Sequence, residues 1–358
     1  MSGYPIGAIA RLEAGAAAIT LGLTPRVLRA LGGRQVVIDG QRLEPETAVI
    51  LRLARLSGRE DVTTLTVSEA RERIRRSAAS VAGAPLPLAA VEEHSVAGAD
   101  GPLGARLYVP AEAGGPGSWP LLVFFHGGGW VVGDLDTHDA LCRRLAVTSG
   151  ARVLAVDYRL APEHRFPAAA DDALAAFLDV ARDPDRFGAD ATRIAVGGDS
   201  AGGNLSAVVA LEARTLGGPV PAFQLLIYPA TDSVARDRPS QVFFDEGFFL
   251  TGSGMAWYRG HYFGPQEPQL APDPRASPLL APDLAGLAPA HIVTAGFDPL
   301  RDEGEAYAAR LRDAGVAVTL RRHAGLIHGF ANMLGAGRVG REAVIEMGGV
   351  LRHGLHVG

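Results

Sequence analysis

The sequence holds a single cysteine, Cys142, among 358 residues, so an internal disulfide is excluded and one thiol cannot build a structural zinc site. That usage suits a reducing compartment, and the cytoplasm is the expected location. No apolar run reaches the roughly 18 residues that a membrane-spanning helix needs. The apolar patch at 14–23 is approached through Arg11 and Glu13, with no basic stretch before it, which argues against a signal peptide. Long runs of one charge, internal repeats and low-complexity linkers are also missing. With a net charge of −5 spread along the chain and 20% charged residues, neither a nucleic-acid footprint nor a disordered tail is expected, and small neutral substrates fit better.

Core-forming residues are abundant: hydrophobic side chains make up 47% of the chain, enough for one large domain or two. Residues 1–85 read as mostly helical, with apolar residues at three-to-four spacing in TPRVLRALG, PETAVILRLARL and VSEARERIRRSAASVAG. A hairpin is expected in EEHSVAGADGPLGARLYVP, two extended runs about a glycine-containing turn. Beyond it, short β-branched runs at 120–125, 151–157, 193–197, 222–228, 290–296 and 316–321 alternate with helical stretches at 167–181, 201–214, 301–314 and 341–355. This alternation predicts an α/β fold with a mostly parallel central sheet and helices on both faces. Residues 231–286 interrupt the rhythm with an insertion rich in Phe, Tyr and Trp. The expected division is therefore a first cap segment at 1–85, catalytic domain at 86–230, an inserted cap segment at 231–286, and the rest of the catalytic domain at 287–358. If 1–85 and 231–265 roof a pocket, Phe243, Phe244, Phe248, Phe249 and Trp257 bound it.

Chemistry concentrates in a few stretches. LLVFFHGGGWVVGD (121–134) runs a buried strand into three successive glycines, an arrangement with a high entropic cost that is justified where a ligand must reach bare main-chain N–H groups. The stretch has neither lysine nor the spacing of a phosphate loop. The strand RIAVG (193–197) enters Gly198-Asp199-Ser200-Ala201-Gly202, and a helix follows. This is GxSxG between strand and helix, which makes Ser200 the expected nucleophile, with Gly198 and Gly202 leaving room for its sharp turn.

A serine hydroxyl needs a base, and the base needs an acid to orient it. In the order nucleophile, acid, histidine, His328 is favoured over His323, because it lies in the loop after the last strand. Asp298 ends the run HIVTAGF, where active sites of open α/β sheets assemble. Asp302 and Glu303 are better explained as acidic residues in the first turn of a helix, and Asp157 as a partner for Arg159 or nearby backbone. The glycine loop, with the amide of Ala201, then reads as an oxyanion hole, and His126 as a residue that anchors the loop, with Gly127 beside it.

With HGGGW, DYRLAPEHRFPAA, GDSAGGN, DPLRDE and HGF in this order, the chain resembles the bacterial esterases of the hormone-sensitive lipase family, within the α/β-hydrolases. The resemblance covers roughly 95–355. It implies Ser200, Asp298 and His328 as a triad, Gly128, Gly129 and Ala201 as oxyanion donors, and no metal or organic cofactor. The implied activity is hydrolysis of short to medium acyl esters through an acyl-enzyme, by a monomer or homodimer with no partner beyond a small-molecule ester. The alternatives are an amidase or natural-product deacetylase using the same triad, and a small-molecule receptor. The plant gibberellin receptors are similar to this family but lack the histidine that His328 supplies here.

Overall fold

The computed structural model describes residues 23–56, 61–111 and 119–356. Most of the apolar patch at 14–23 therefore lies outside the described residues. In chain order the elements are α1 (Pro25–Gly32), β1 (Val37–Ile38), β2 (Gln41–Arg42), α2 (Pro45–Leu56), α3 (Val67–Val81), β3 (Ala90–Gly98), β4 (Gly101–Val109) and β5 (Trp119–Phe125). Then come α4 (Asp139–Ser149), β6 (Arg152–Val156), α5 (Ala168–Arg182), β7 (Ala189–Asp199), α6 (Ala201–Thr215) and β8 (Phe223–Ile227). The chain continues through α7 (Pro239–Phe243), α8 (Gly252–Phe263), α9 (Glu267–Leu270), β9 (Ala290–Phe297), α10 (Arg301–Asp313), β10 (Val318–Ile327) and α11 (Arg338–His356).

Eight strands form one sheet in the order β10-β9-β8-β7-β5-β6-β4-β3. Only the β3–β4 and β4–β6 pairings are antiparallel; the remainder are parallel. A parallel sheet must be covered on both faces, and alternation along β5 shows how. Leu121, Val123 and Phe125 join the cluster under α5 and α6, whereas Leu122 and Phe124 join the one under α4 and α11. Helix α10 packs beside α6 on the first of these faces, through Tyr307 and Leu311 against Leu226 and Ile292.

Two elements escape the periodicity reading. Helix α4 buries Leu141, Cys142, Leu145 and Ala146, but Arg143 and Arg144 interrupt that stripe in the sequence. The two-residue strands β1 and β2 close over Asp39 and Gly40, both with positive φ; Asp-Gly is a turn signature in itself, but strands of two residues are too short to show alternation beside it.

The N-terminal segment docks on the carboxyl ends of β9 and β10. Gln41 Nε2 donates to the Gly296 carbonyl at 3.1 Å and the Glu44 amide to the Gly325 carbonyl at 3.0 Å. Leu43 and Leu51 share a cluster with Phe244, Phe297 and Ile327. This corrects the expectation for one of the aromatics. Phe244 is fully buried and packs on Phe297 at 5.4 Å between ring centres, so it belongs to a core, while the half-buried Phe248 lies against the same ring at 5.3 Å. Phe243 and Phe249 are exposed.

Candidate active site

The chain turns abruptly where β7 meets α6. Ser200 adopts φ 55° and ψ −114°, a conformation that costs an L residue about 1–3 kcal/mol and persists only when its surroundings enforce it. The glycines on either side explain how it is enforced. A Cβ on Gly202 would lie 1.8 Å from the Phe125 carbonyl oxygen, and one on Gly198 would lie 2.3 Å from the same atom. The Ser200 amide is meanwhile held by the Ile227 carbonyl at 2.9 Å.

Three side chains meet above this turn. His328 Nε2 is 3.0 Å from Ser200 Oγ, and His328 Nδ1 is 2.7 Å from Asp298 Oδ2. Asp298 is completely buried, and its other oxygen accepts the Leu300 amide at 2.9 Å. Its Oδ2 therefore faces the Nδ1–H, which leaves Nε2 as the acceptor for the Ser200 hydroxyl. Asp298 follows β9 and His328 follows β10, so all three stand at the carboxyl ends of parallel strands. Tyr228 packs its ring 4.6 Å from that of His328 and adopts φ 36°.

The glycine loop lies beside them. Gly128 and Gly129 have φ of 117° and 58°. A Cβ on Gly128 would meet the Val132 carbonyl oxygen at 2.1 Å, and one on Gly129 would meet Tyr258 Cγ at 2.4 Å. Both positions therefore need glycine. The Gly127 amide is already used, donating to Asp199 Oδ1 at 2.9 Å. Trp130, also at positive φ, stacks on Tyr262 at 4.4 Å and fixes the far end of the loop. His126 stacks on Tyr158 at 4.3 Å, and its main-chain carbonyl accepts the Tyr158 hydroxyl at 2.7 Å. Burial and the neighbouring His138 push the His126 imidazole down to about 4, so it is neutral, and its Nδ1 lies 2.8 Å from the Gly127 carbonyl.

The rival residues lie elsewhere. His323 is not a surface group: it is half-buried in β10, 5.4 Å from Phe330, and burial and Arg321 push it down to about 4. Asp302 accepts the Ser240 amide at 2.7 Å, and Glu303 accepts those of Thr231 and Asp232 at 2.8 and 3.2 Å. Both stand in the first turn of α10 and tie it to the insertion. Arg159 pairs with Asp172 and Asp100, and not with Asp157, whose amide donates to the Gly104 carbonyl. Sequence reasoning did not reach Asp199, His138, Asn332 or Tyr258, whose partners come from distant parts of the chain.

A family model described as the alpha/beta hydrolase fold matches residues 122–332. The chain belongs to that family. Within it, the chain falls in the hormone-sensitive-lipase-like branch among bacterial esterases. This hydrolase is 46% identical over 332 residues to the carboxylic ester hydrolase LipN of Mycobacterium tuberculosis, covering 91% of this chain and 86% of that protein. It is 40% identical to an ethyl acetate hydrolase of Pseudomonas putida, over 81% of this chain and 92% of the relative. Among solved structures, an ester hydrolase from the Lake Arreo metagenome, in complex with a bipyridine phosphonate derivative, superposes with a TM-score of 0.83 at 43% identity. That match covers 87% of this chain and 98% of the other. The hydrolase is a carboxylic ester hydrolase. Among its described residues, no helix is long and apolar enough to cross a membrane.

Proposed function

We propose that this esterase cleaves short to medium acyl esters through a covalent acyl-enzyme on Ser200. The observation that carries this reading is the continuous relay from Ser200 Oγ to His328 Nε2 at 3.0 Å and from His328 Nδ1 to Asp298 Oδ2 at 2.7 Å. His328 Nε2 takes the hydroxyl proton as Ser200 Oγ attacks the ester carbonyl carbon, and Asp298 holds the ring in the tautomer that permits it. The charge that develops on the carbonyl oxygen meets the amides of Gly128, Gly129 and Ala201. The imidazolium then gives its proton to the departing alcohol. Water repeats the sequence on the acyl-enzyme and frees the acid. The reading needs no metal or organic cofactor and no macromolecular partner. It includes a cytoplasmic monomer or homodimer, with a cap drawn from 1–85 and 231–286 over the catalytic domain.

Cap side chains stand close to both flanks of the relay. Tyr258 of α8 lies against Gly129, and Phe249 lies 3.1 Å from the place a Gly329 Cβ would take. Each acyl methylene that fits beneath such a roof gains about 0.8 kcal/mol, a few-fold in specificity constant, until the roof is reached. Kinetics on p-nitrophenyl esters from C2 to C16, with the matching anilides, test this. The reading expects a maximum at roughly C4 to C8 and far slower anilide cleavage. A specificity constant still rising at C12, or anilides preferred to esters, would contradict it.

A further inference from the structure

The carboxylate of Asp199 is buried at the end of β7, one residue before Ser200, yet it belongs to no step of the relay. Its Oδ1 accepts the Gly127 amide at 2.9 Å and lies 3.2 Å from His138 Nε2, which the same amide approaches at 3.3 Å. Its Oδ2 accepts the Asn332 side-chain amide at 2.9 Å, with the Tyr228 hydroxyl at 3.5 Å. These partners arrive from separate segments. Gly127 opens the glycine loop, His138 precedes α4, Asn332 lies in the turn that follows His328, and Tyr228 stands against the His328 ring. The fit is close: a Cβ on Gly127 would fall 2.7 Å from Asp199 Oδ2.

A buried carboxylate survives only if it is paired and hydrogen-bonded. Burial alone would push Asp199 up, but the His138 charge and the bonds from His138, Gly127 and Asn332 outweigh it and hold the carboxyl below its ordinary value. Burial likewise opposes charge on His138, and Asp199 overcomes it, so the imidazole is held above its ordinary value. Thr137 Oγ1 sits 2.8 Å from His138 Nδ1 and fixes the ring. The two side chains thus form a buried carboxylate–imidazole pair, 3.2 Å apart, with the Gly127 amide 3.3 Å from the same Nε2. It is separate from the Asp298–His328 pair and reaches neither Ser200 Oγ nor the open face of the glycine loop.

We infer that Asp199 and His138 are positioning residues whose pairing sets the distance between the oxyanion amides, the nucleophile and the base. This rests on the assignment of Ser200 and His328 above. The carboxylate is one peptide from Ser200. It tethers the amide next to Gly128, and through Asn332 it tethers the turn that carries His328. Movement of Asp199 therefore shifts all three groups relative to one another. Oxyanion stabilisation depends steeply on that geometry, whereas ground-state ester binding does not, so the loss should fall on kcat and leave KM nearly unchanged.

The test is steady-state kinetics of His138→Leu and His138→Gln on ethyl butyrate, with Ser200→Ala as reference. In His138→Leu, which leaves Asp199 without its imidazole partner, kcat should fall by about 100-fold with KM changed less than about threefold. A glutamine can still offer an N–H to Asp199, so His138→Gln should recover at least about tenfold of that loss. Should His138→Leu fail to fold, Asn332→Ala reads the other tether, with kcat expected to fall about tenfold at nearly constant KM. A folded His138→Leu or Asn332→Ala with kcat within about twofold of wild type would overturn the inference. So would a glutamine variant no better than leucine. Full activity in Ser200→Ala would instead overturn the triad assignment, which separates the two failures.

Discussion

Glu46 of α2 caps a helix on the far side of the sequence: its Oε2 accepts the Arg338 amide at 2.8 Å and the Val339 amide at 3.2 Å, at the start of α11. The carboxylate is itself buried, so it supplies both the acceptor and the negative charge that a helix N-terminus favours. Glu46→Ala should lower unfolding free energy by about 1–2 kcal/mol in urea titrations, and Glu46→Gln by less.

Removal of residues 1–40 takes away α1, β1 and the Asp39 carboxylate that pairs with the buried Arg301 at 2.9 Å. The exposed underside should lower activity and promote aggregation, read by light scattering beside an esterase assay. Unchanged solubility and chain-length preference would show that this segment has no part in the roof.

Glycine substitutions should divide sharply by environment. Gly202→Ala forces a Cβ onto the Phe125 carbonyl oxygen and should abolish activity through local rearrangement or misfolding. Gly349 lies within α11 with nothing within 4 Å of its would-be Cβ. There Gly349→Ala should stabilise by about 0.5–1 kcal/mol with activity retained.

Asp298→Asn preserves shape but permits the wrong imidazole tautomer, so kcat should drop by about four orders of magnitude. Asp302→Asn loosens the bonds to Ser240 and Arg301 instead. It should affect melting temperature more than turnover, and a reversed ranking would move the acid to Asp302.

Glu303 offers a test by pH. Its carboxyl is pushed up to about 8, chiefly by burial, which outweighs the Thr231 and Asp232 amides. The folded protein then holds a proton that the unfolded chain loses near 4.5. Stability from this group is complete below that value and is lost as pH rises through about 8. Glu303→Gln keeps the acceptor for both amides and should flatten the decline in melting temperature between pH 5 and 8. His126 and His291, both pushed down to about 4 by burial first, act in the opposite sense. Their contribution is present above the ordinary histidine value and is lost as pH falls through about 4.

Much of this architecture is legible in local pattern. The apolar alternation of β5 and the glycines around Ser200 leave marks within a few residues, because strand burial and the nucleophile turn are local constraints. Other features depend on partners far apart in the chain. Asp199 occupies a position where GxSxG accepts many residues, and only the fold shows that Gly127, His138 and Asn332 converge on it. Glu303 reads as an ordinary acid at a helix start, since nothing nearby in sequence reports that its carboxyl is buried under Thr231. Phe244 and Phe249 look alike in sequence, and packing alone sends one into the core and leaves the other at the surface.

Peptide mass spectrometry after treatment with a fluorophosphonate addresses the central claim most directly, since only an activated hydroxyl displaces fluoride from that phosphorus at an appreciable rate. The account predicts one adduct, on the peptide containing Ser200, with labelling slowed in His328→Ala and absent in Ser200→Ala. Labelling of Ser200→Ala at the wild-type rate, or an adduct on another residue, would contradict it.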